Sequence, residues 1–541
     1  MNMIKTAKTQ ISHFFEYCYK SPFVVCAYVL LIVGILSRCV LYFDARELWL
    51  DEASLSLNIF QLEWRDLIGK PLIFGQAAPL GFLVVTRIFA KIFGYSELVL
   101  RILPFFASIG LLIVMFKLAV EMFVTHSCAN PPLHLSAKNN NSAYIWVCIT
   151  LIALITSKSL LYYAAEFKQY EVEAFCSALL VYLFVRKVSL RIFLFASFVC
   201  LLFGNGIVFV IFGLLCGYMY RSIKASNLGL FGGLKQFIMQ NLISFLVFGI
   251  FFFLLYFGYT KPQAVKFFFD FWSHGFLPLN PKEFFLWVNE NISIFTEFAF
   301  GGKKIVAYLL LITSLIGLFA MYRYDRALCI GIAAFIVVYM IASFAKIMPI
   351  SIDGGILGTR LALFWEPIYV LGCVFGLRFI ASKILIIAES KLSPKNVKKL
   401  VVVGGGGIFL YLLIVCGIKI YKFHNSFQRP VISELVAYTK DNITDNDILL
   451  VHNSVTSIFL YYKFRLNLNH QEQISSGEWA SSPESDIKKI LDDVKNKQEN
   501  VRLFVILENS NPSDTFIENL TSVQKKQAGH YTLLVIDTKA H

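Results

Sequence analysis

Four carboxylates stand within nine residues of the sequence, from Asp44 to Glu52, directly after the first apolar segment. Asp51 and Glu52 are adjacent, and like charges at this spacing raise each other's proton affinity. The pair therefore needs a cation, a basic partner or water beside it. A general base and a ligand of a divalent metal ion are both reasonable uses of such a pair. A solvated loop start is the alternative interpretation.

A second polar cluster follows a later apolar segment, in the stretch 161–173, where acids alternate with Lys168 and tyrosines. If this stretch is helical, Glu166 and Tyr170 are four residues apart and share one face. An ordinary polar hinge between two membrane spans is the alternative interpretation.

A third cluster is Gly358-Thr359-Arg360, with Glu366 two turns farther along the chain. Arginine suits the bidentate binding of phosphate oxygens. Ionisable groups inside a membrane are costly, and they usually face a cavity or pair with one another. Arg360 is therefore a candidate phosphate ligand, with a simple interfacial anchor as the alternative.

The composition shows which solvent must surround the elements that carry these clusters. The chain is 57% hydrophobic and only 16% charged, against roughly 25% charged residues in soluble domains. Its net charge of +14 is typical of basic loops held on the cytoplasmic side of a membrane, so nucleic acid is not an expected partner. The eleven cysteines are scattered among apolar stretches, which argues against a disulfide framework.

Runs of about 20 apolar residues predict eleven membrane crossings. They lie near 24–43, 101–124, 143–160, 171–186, 189–203, 206–220, 237–257, 303–322, 327–346, 359–380 and 399–420. Basic clusters between them place the N-terminus in the cytoplasm and, because eleven is odd, the C-terminal tail outside. The stretch 78–93 is short and carries Arg87 and Lys91, so we expect an interfacial helix whose basic side chains snorkel toward lipid head groups. The predicted fold class is a polytopic α-helical membrane protein with about 11–13 transmembrane helices and a small C-terminal extracytoplasmic α/β domain.

Two domains are predicted. Residues 1–421 form a transmembrane domain with outer loops at 44–100, 161–170, 258–302 and 347–358. Residues 422–541 form a small extracytoplasmic domain, in which strand-like runs at 448–451, 503–507 and 531–536 alternate with helical patterns. That alternation favours an α/β fold.

The order of the motifs resembles that of the GT-C glycosyltransferases, in the branch that holds protein O-mannosyltransferases and the lipid A aminoarabinose transferase. The residues that carry the resemblance are Asp51-Glu52, Gln76-Ala-Ala-Pro79, the stretch 93–104 and the stretch 162–170. It covers residues 20–190 well and the region of Arg360 loosely.

The resemblance implies a bacterial inner-membrane enzyme of the cell envelope, which transfers a hexose or pentose from a polyprenyl-phosphate donor with inversion. The acceptor would be a glycolipid such as lipopolysaccharide, a glycan or a protein. The implied catalytic residues are Asp51 as the base, Glu52 and Glu166. The residues implied to bind the donor phosphate are Lys168, Arg360 and Arg87, and those implied to position a substrate are Tyr163, Tyr170 and Gln76. Asp51 and Glu52 are also the candidate ligands of a divalent metal ion, the one cofactor considered.

Two departures from the family pattern concern the donor. Gln76-Ala-Ala-Pro79 stands where many relatives have Lys-Pro-Pro or Ser-Pro-Leu, so a cation that could contact the donor phosphate is missing. Lys168 stands where relatives often have arginine. A transporter or flippase of lipid-linked glycans is an alternative function, although the repeats common in transporters are absent from the sequence. A membrane-anchored sensor or assembly factor is another. No phosphate-binding loop supports ATP-driven transport.

Overall fold

The computed structural model of the protein describes residues 22–125, 140–291, 304–350, 360–426, 431–475, 484–497, 501–508, 516, 520 and 522–538. Gly358 and Thr359 of the third predicted cluster lie outside these ranges, as do parts of the predicted loops 258–302 and 347–358. The described chain is mostly helical and has a five-stranded sheet near its C-terminal end, in agreement with the predicted fold class.

The helices are numbered along the chain. The first twelve are α1 (Pro22–Phe43), α2 (Leu50–Gln61), α3 (Trp64–Gly69), α4 (Leu80–Phe93), α5 (Glu97–Leu100), α6 (Ile102–Val120), α7 (Asn140–Thr156), α8 (Lys158–Tyr163), α9 (Tyr170–Val185), α10 (Leu190–Leu201), α11 (Ile207–Ser226) and α12 (Gly229–Leu255). The others are α13 (Lys261–Gln263), α14 (Lys266–Phe271), α15 (Pro281–Asn291), α16 (Lys304–Tyr324), α17 (Arg326–Phe344), α18 (Glu366–Lys391), α19 (Pro394–Lys399), α20 (Gly406–Ser426), α21 (Ser433–Asn442), α22 (Thr456–Leu466) and α23 (Glu484–Lys497). The strands are β1 (Ile448–Val451), β2 (Glu472–Ile474), β3 (Arg502–Glu508), β4 (Val523–Ala528) and β5 (Tyr531–Asp537).

Eight helical segments of the described chain are long and apolar enough to cross a membrane, so the protein is a multi-pass membrane protein. They are Pro22–Phe43, Ile102–Thr125, Ile207–Ser226, Gly229–Gln263, Lys304–Tyr324, Arg326–Phe344, Arg360–Lys391 and Val403–His424. The other three predicted crossings are α7, α9 and α10, with 17, 16 and 12 residues. At about 1.5 Å per residue they reach roughly 18–26 Å, short of a hydrocarbon core of about 30 Å.

The helices α16 and α18 pack with their backbones almost in contact. A Cβ atom on Gly317 would lie 1.8 Å from the carbonyl oxygen of Gly372, so only glycine fits at this crossing. Small residues spaced four apart, here Gly372 and Gly376, permit such close packing of helices in membranes. Glycine therefore fixes the distance between these two helices.

The chain divides into two compact units. The membrane unit comprises Met1–Phe43, Ala78–Leu83 and Arg101–Asn425, and the tail unit comprises Asp44–Ala77, Val84–Leu100 and Ser426–His541. The predicted boundary at 421/422 lies close to the last of these divisions. Most of the predicted outer loop 44–100, in contrast, packs with the tail, through contacts over long sequence distances that local patterns do not reveal.

The tail unit contains a mixed sheet with the strand order β2-β1-β3-β5-β4. β1 pairs in parallel with β2 and β3, whereas β5 pairs antiparallel with β3 and β4. β1, β3 and β5 match the predicted apolar runs. They are buried on both faces, as expected of central strands rich in branched apolar residues. One hydrophobic core of the unit is formed by Leu450, Ile487, Leu503, Val505, Leu507, Phe516, Leu534 and Ile536.

Candidate active site

The adjacent acids of the first predicted cluster lie in the first turn of α2, within the tail unit. Neighbouring side chains on an α-helix point about 100° apart, so the two have different surroundings. Asp51 is partly exposed, whereas Glu52 is fully buried. The N-terminal end of a helix favours negative charge, through its free N–H groups and its dipole. Asp51 is therefore the acid of the pair that solvent or a substrate can reach.

Glu47 of the same acidic segment has a structural role. Its Oε2 accepts hydrogen bonds from the backbone N–H groups of Ile432, at 2.8 Å, and Ser433, at 3.3 Å. Burial raises the pKa of the Glu47 carboxyl, although these hydrogen bonds favour its charged form. Asp44 is exposed, with Oδ2 3.9 Å from the Nε of Arg46. These two acids are thus tied to neighbouring protein groups.

Gln76 and Arg87, both assigned to substrate contacts, are buried in the tail unit. The Arg87 guanidinium lies 4.6 Å from the ring centre of Trp64, and the Nζ of Lys91 lies 5.3 Å from the same ring. The predicted snorkelling of Arg87 toward lipid is therefore wrong, because cation–π stacking holds it within the protein. Its Nε and Nη1 are buried and have no hydrogen-bond partner within the described part of the chain.

The second predicted cluster lies on a turn between α8 and α9 in the membrane unit. Because α8 ends at Tyr163 and α9 begins at Tyr170, the stretch is not helical at Glu166, and the condition under which Glu166 and Tyr170 would share a helical face is not met. The Ala165 N–H bonds to the carbonyl three residues earlier, which ends the α-helical pattern. The Lys168 N–H donates to the Glu166 carbonyl at 2.7 Å, and both residues are buried. The Tyr163 and Tyr170 rings meet edge to face, 5.1 Å apart.

Arg360 begins a 3₁₀ segment, Arg360–Trp365, that packs against α8 and α9. Its guanidinium lies 4.8 Å from the ring centre of Trp272, and the residue is 9% exposed. Glu366 follows the segment and is fully buried. The membrane unit thus brings the segment of Arg360 against the two helices that flank the turn with Glu166 and Lys168.

Arg38 is a fully buried cation in α1 that is absent from the residues predicted from sequence. Its guanidinium donates to the carbonyls of Gly34 and Leu154 and interacts electrostatically with Glu171 and Glu366. Arg38 is the one charged residue in the apolar run 24–43. Charged residues inside membrane spans often mark functional sites, so this isolated charge is the sequence signal by which Arg38 could have been recognised.

The two acids of α9 differ in their contacts. Glu173 Oε1 accepts the Asn205 N–H at 2.9 Å, just before α11 begins, so Glu173 holds the start of that helix. Neither carboxylate oxygen of Glu171 has a hydrogen-bond partner among the residues that the structure covers. Arg38 is the cation that interacts with Glu171.

Metal binding is the other predicted use of Asp51 and Glu52. In the described ranges no three His, Cys, Asp or Glu side chains come together as a metal site. The helix directs the two carboxylates to different sides, so a divalent ion at Asp51 would need further oxygen ligands from a substrate or water.

No family model matches the sequence, and no curated protein sequence matches it. Several solved structures match its fold, and two of them are structures of the same protein. The structure of ArnT from Cupriavidus metallidurans in the apo state has 12% sequence identity and a TM-score of 0.50, and the match covers 96% of this chain and 98% of that one. The structure of the same protein bound to undecaprenyl phosphate also has 12% identity and a TM-score of 0.50, with 95% and 97% covered. The chain has a fold similar to that of ArnT.

The similarity to ArnT confirms the fold that the resemblance implies. Each of the two units carries groups with a chemistry of its own. The tail unit presents a partly exposed carboxylate at a helix N-terminus, which can accept a proton from a hydroxyl group. The membrane unit holds Lys168 and Arg360 in buried positions, where a fixed cation stabilises an anion more strongly than it does in water.

Proposed function

We propose that the protein is an integral-membrane glycosyltransferase that moves a hexose or pentose from a polyprenyl-phosphate donor to an extracytoplasmic acceptor, with inversion. The observation that carries the proposal is the fold similarity, over nearly the full length, to ArnT bound to undecaprenyl phosphate. Buried cations in a membrane unit further support an anionic lipid headgroup as the ligand.

In the proposed reaction an acceptor oxygen attacks the anomeric carbon on the face opposite the lipid phosphate. The bond between that carbon and the phosphate oxygen breaks, and its electron pair leaves with the phosphate. Asp51 takes the proton of the acceptor hydroxyl. The charge that develops on the phosphate is stabilised by Lys168, Arg360 and Arg87. The residues proposed to orient the two substrates are Glu52, Glu166, Gln76, Tyr163 and Tyr170.

The test is transfer by the purified protein, with radiolabelled isoprenoid-phosphate sugars and a panel of glycolipid, glycan and peptide acceptors. Asp51→Asn should lower kcat by about 10²–10⁴-fold, the range of general acid–base contributions. Glu166→Gln should lower kcat by up to about 100-fold, through loss of substrate orientation. Glu63→Gln is the matched control, because Glu63 is exposed in the same loop region as Asp51. Transfer at the wild-type rate by both site variants would remove these residues from the mechanism.

The transporter alternative predicts a different observable in the same preparation. A flippase reconstituted in vesicles would move a fluorescent polyprenyl-phosphate sugar between leaflets without forming a glycosylated acceptor. A transferase forms the product in detergent, where no second compartment exists. Product formation in detergent therefore separates the two functions.

We also propose an inner-membrane location with a cytoplasmic N-terminus and an extracytoplasmic tail. Single cysteines at the exposed positions Lys70, Lys187 and Lys282 test this topology with a membrane-impermeant maleimide, against the wild-type chain as background. Positions 70 and 282 should label in intact spheroplasts, and position 187 only after permeabilisation. The reverse pattern would invert the proposed topology.

A further inference from the structure

The tail sheet has a strand order at which α/β proteins commonly bind ligands. In the parallel order β2-β1-β3, the chain leaves β1 toward β2 on one side and later returns to β3 on the other. Such a switch in direction opens a crevice at the C-terminal ends of β1 and β3. The pairing of β1 with β3 continues to the C-terminal end of β1, because the His452 N–H, one residue after that strand, donates to the Ile506 carbonyl at 2.9 Å. A 3₁₀ turn, Asn453–Val455, then leads into α22.

The helix that carries the acid pair, α2, packs against α22. Ser457, in the first turn of α22, accepts a hydrogen bond from Ser54, with 2.9 Å between the two Oγ atoms, and both residues are buried. Two turns farther on, the Phe464 ring stacks on Phe60, with 4.4 Å between centroids and 12° between planes. The earlier residue of α2, Ser54, thus contacts the earlier residue of α22, and the later residue, Phe60, contacts the later one. The two helices therefore run side by side in the same direction.

A second hydrogen bond fixes the chain just before α2. The Leu48 N–H donates to the hydroxyl of Tyr462 on α22, at 3.0 Å, and Tyr462 is 4% exposed. Leu48 lies three residues before Asp51 and Ser54 three residues after it. The turn that carries Asp51 is thus held on both sides by one helix of the tail.

We infer that α22 is the element that sets the position of Asp51, with Ser457 and Tyr462 as positioning residues, and that α2 occupies the place of a ligand in this α/β fold. The inference rests on the proposed function, in which Asp51 must reach an acceptor hydroxyl. A displacement of about 1 Å at a catalytic group costs up to about 100-fold in rate, so loss of either hydrogen bond should act on turnover.

Ser457→Ala and Tyr462→Phe remove the two hydrogen bonds and keep the packing. Each should lower kcat by about 10-fold, and the double variant by about 100-fold, with the donor KM within about twofold of wild type. The limb of the pH–rate profile that reports the base should shift, because the surroundings of Asp51 change. Ser457→Thr, which keeps a hydroxyl, should restore most of kcat. Tyr438→Phe, in the neighbouring helix α21, is the matched control and should leave kcat unchanged.

A cross-link tests the docking without enzyme activity. In the full-length protein, Ser54→Cys with Ser457→Cys should form a disulfide on mild oxidation, because the Oγ atoms of the two serines already lie within hydrogen-bond distance of each other. Mass spectrometry of the linked peptides detects it, and Ser54→Cys with Ser475→Cys serves as the control pair. Absence of the link overturns the docking, and wild-type kcat and pH profile in the double variant overturn the positioning role. If the wild-type chain transfers no sugar, the proposed function and the positioning role fall together, while the cross-link still decides whether α2 docks on α22.

Discussion

A methyl group at Gly206 should displace the segment that carries Arg360. A Cβ atom at this position would lie 2.5 Å from Cε1 of Phe364, which is 0.9 Å inside the 3.4 Å where ordinary contact begins. The Phe364 ring is fully buried between Phe335 and Tyr339, with centroids 6.0 and 5.4 Å away, so it has no room to rotate aside. The backbone at Gly206 has φ −69°, which alanine adopts without strain. The overlap must therefore be relieved by movement of the 3₁₀ segment.

The size of this displacement sets the expected effects of Gly206→Ala. Overpacking of a filled interior costs about 1–3 kcal/mol in the free energy of unfolding. A shift of nearly 1 Å at Arg360, which is proposed to bind the donor phosphate, should lower kcat/KM for the lipid donor by about 10–100-fold. Transfer kinetics are measured well below the melting temperature, so that the folded fraction is the same for both proteins. Gly249→Ala is the control, because a Cβ atom there meets nothing within 4 Å.

A second substitution separates the proposed overlap from a general loss of stability. Phe364→Leu shortens the obstructing side chain, so the double variant with Gly206→Ala should recover activity relative to Gly206→Ala alone. Coupling of about 0.5–3 kcal/mol is expected for side chains in direct contact. Wild-type kinetics in Gly206→Ala, or strictly additive effects in the double variant, would refute the steric reasoning.

Three further predictions concern packing and charge. Gly317→Ala should lower the free energy of unfolding by about 1–3 kcal/mol, and with it the melting temperature in detergent, because the new methyl group meets the Gly372 backbone. An unchanged melting temperature would mean that the helices lie farther apart. Arg38→Gln leaves buried carboxylates without their cation, which costs about 3–5 kcal/mol, and the yield of monodisperse protein on size-exclusion chromatography should fall. Burial raises the pKa of Asp447, but hydrogen bonds from Arg502 and other groups outweigh it and hold the pKa below its ordinary value. The stabilisation of the folded state by the charged Asp447 carboxylate is complete above the unfolded-state pKa of about 4, and it is lost as the pH falls through the folded-state pKa. Hydrogen exchange of β1 and β3 should become faster over this pH range. In Asp447→Asn this pH dependence should be absent.

The membrane helices were predictable because lipid imposes a simple rule on composition and length. The same rule predicted a crossing near 189–203, where the helix α10 has only 12 residues and is too short for a full crossing. In the tail, the buried strands β1, β3 and β5 were visible as apolar runs. β4 was not, because four central residues of this edge strand are exposed and its Lys525 and Lys526 interrupt any apolar pattern.

The types of the candidate site residues and their order were predictable, but their surroundings were not. An arginine in a short apolar stretch looks like an interfacial residue, and only the fold places Arg87 over Trp64. No glycine or proline lies near Ala165, so the sequence has no helix-breaking residue from which this break could be predicted. Hydrogen bonds such as that between Leu48 and Tyr462 join distant residues and leave no trace in local periodicity.

The docking of α2 on α22 has a consequence for biosynthesis. Leu48 and Tyr462 are 414 residues apart. At about 5–20 residues per second, the ribosome delivers the second roughly 20–80 seconds after the first. Until then α2, with 12 residues, is too short to be a stable helix on its own. A nascent chain that stops before Thr456 therefore contains the eight membrane-spanning segments of the described chain but lacks α22, so the contacts that hold the turn of Asp51 form only after α22 has been made.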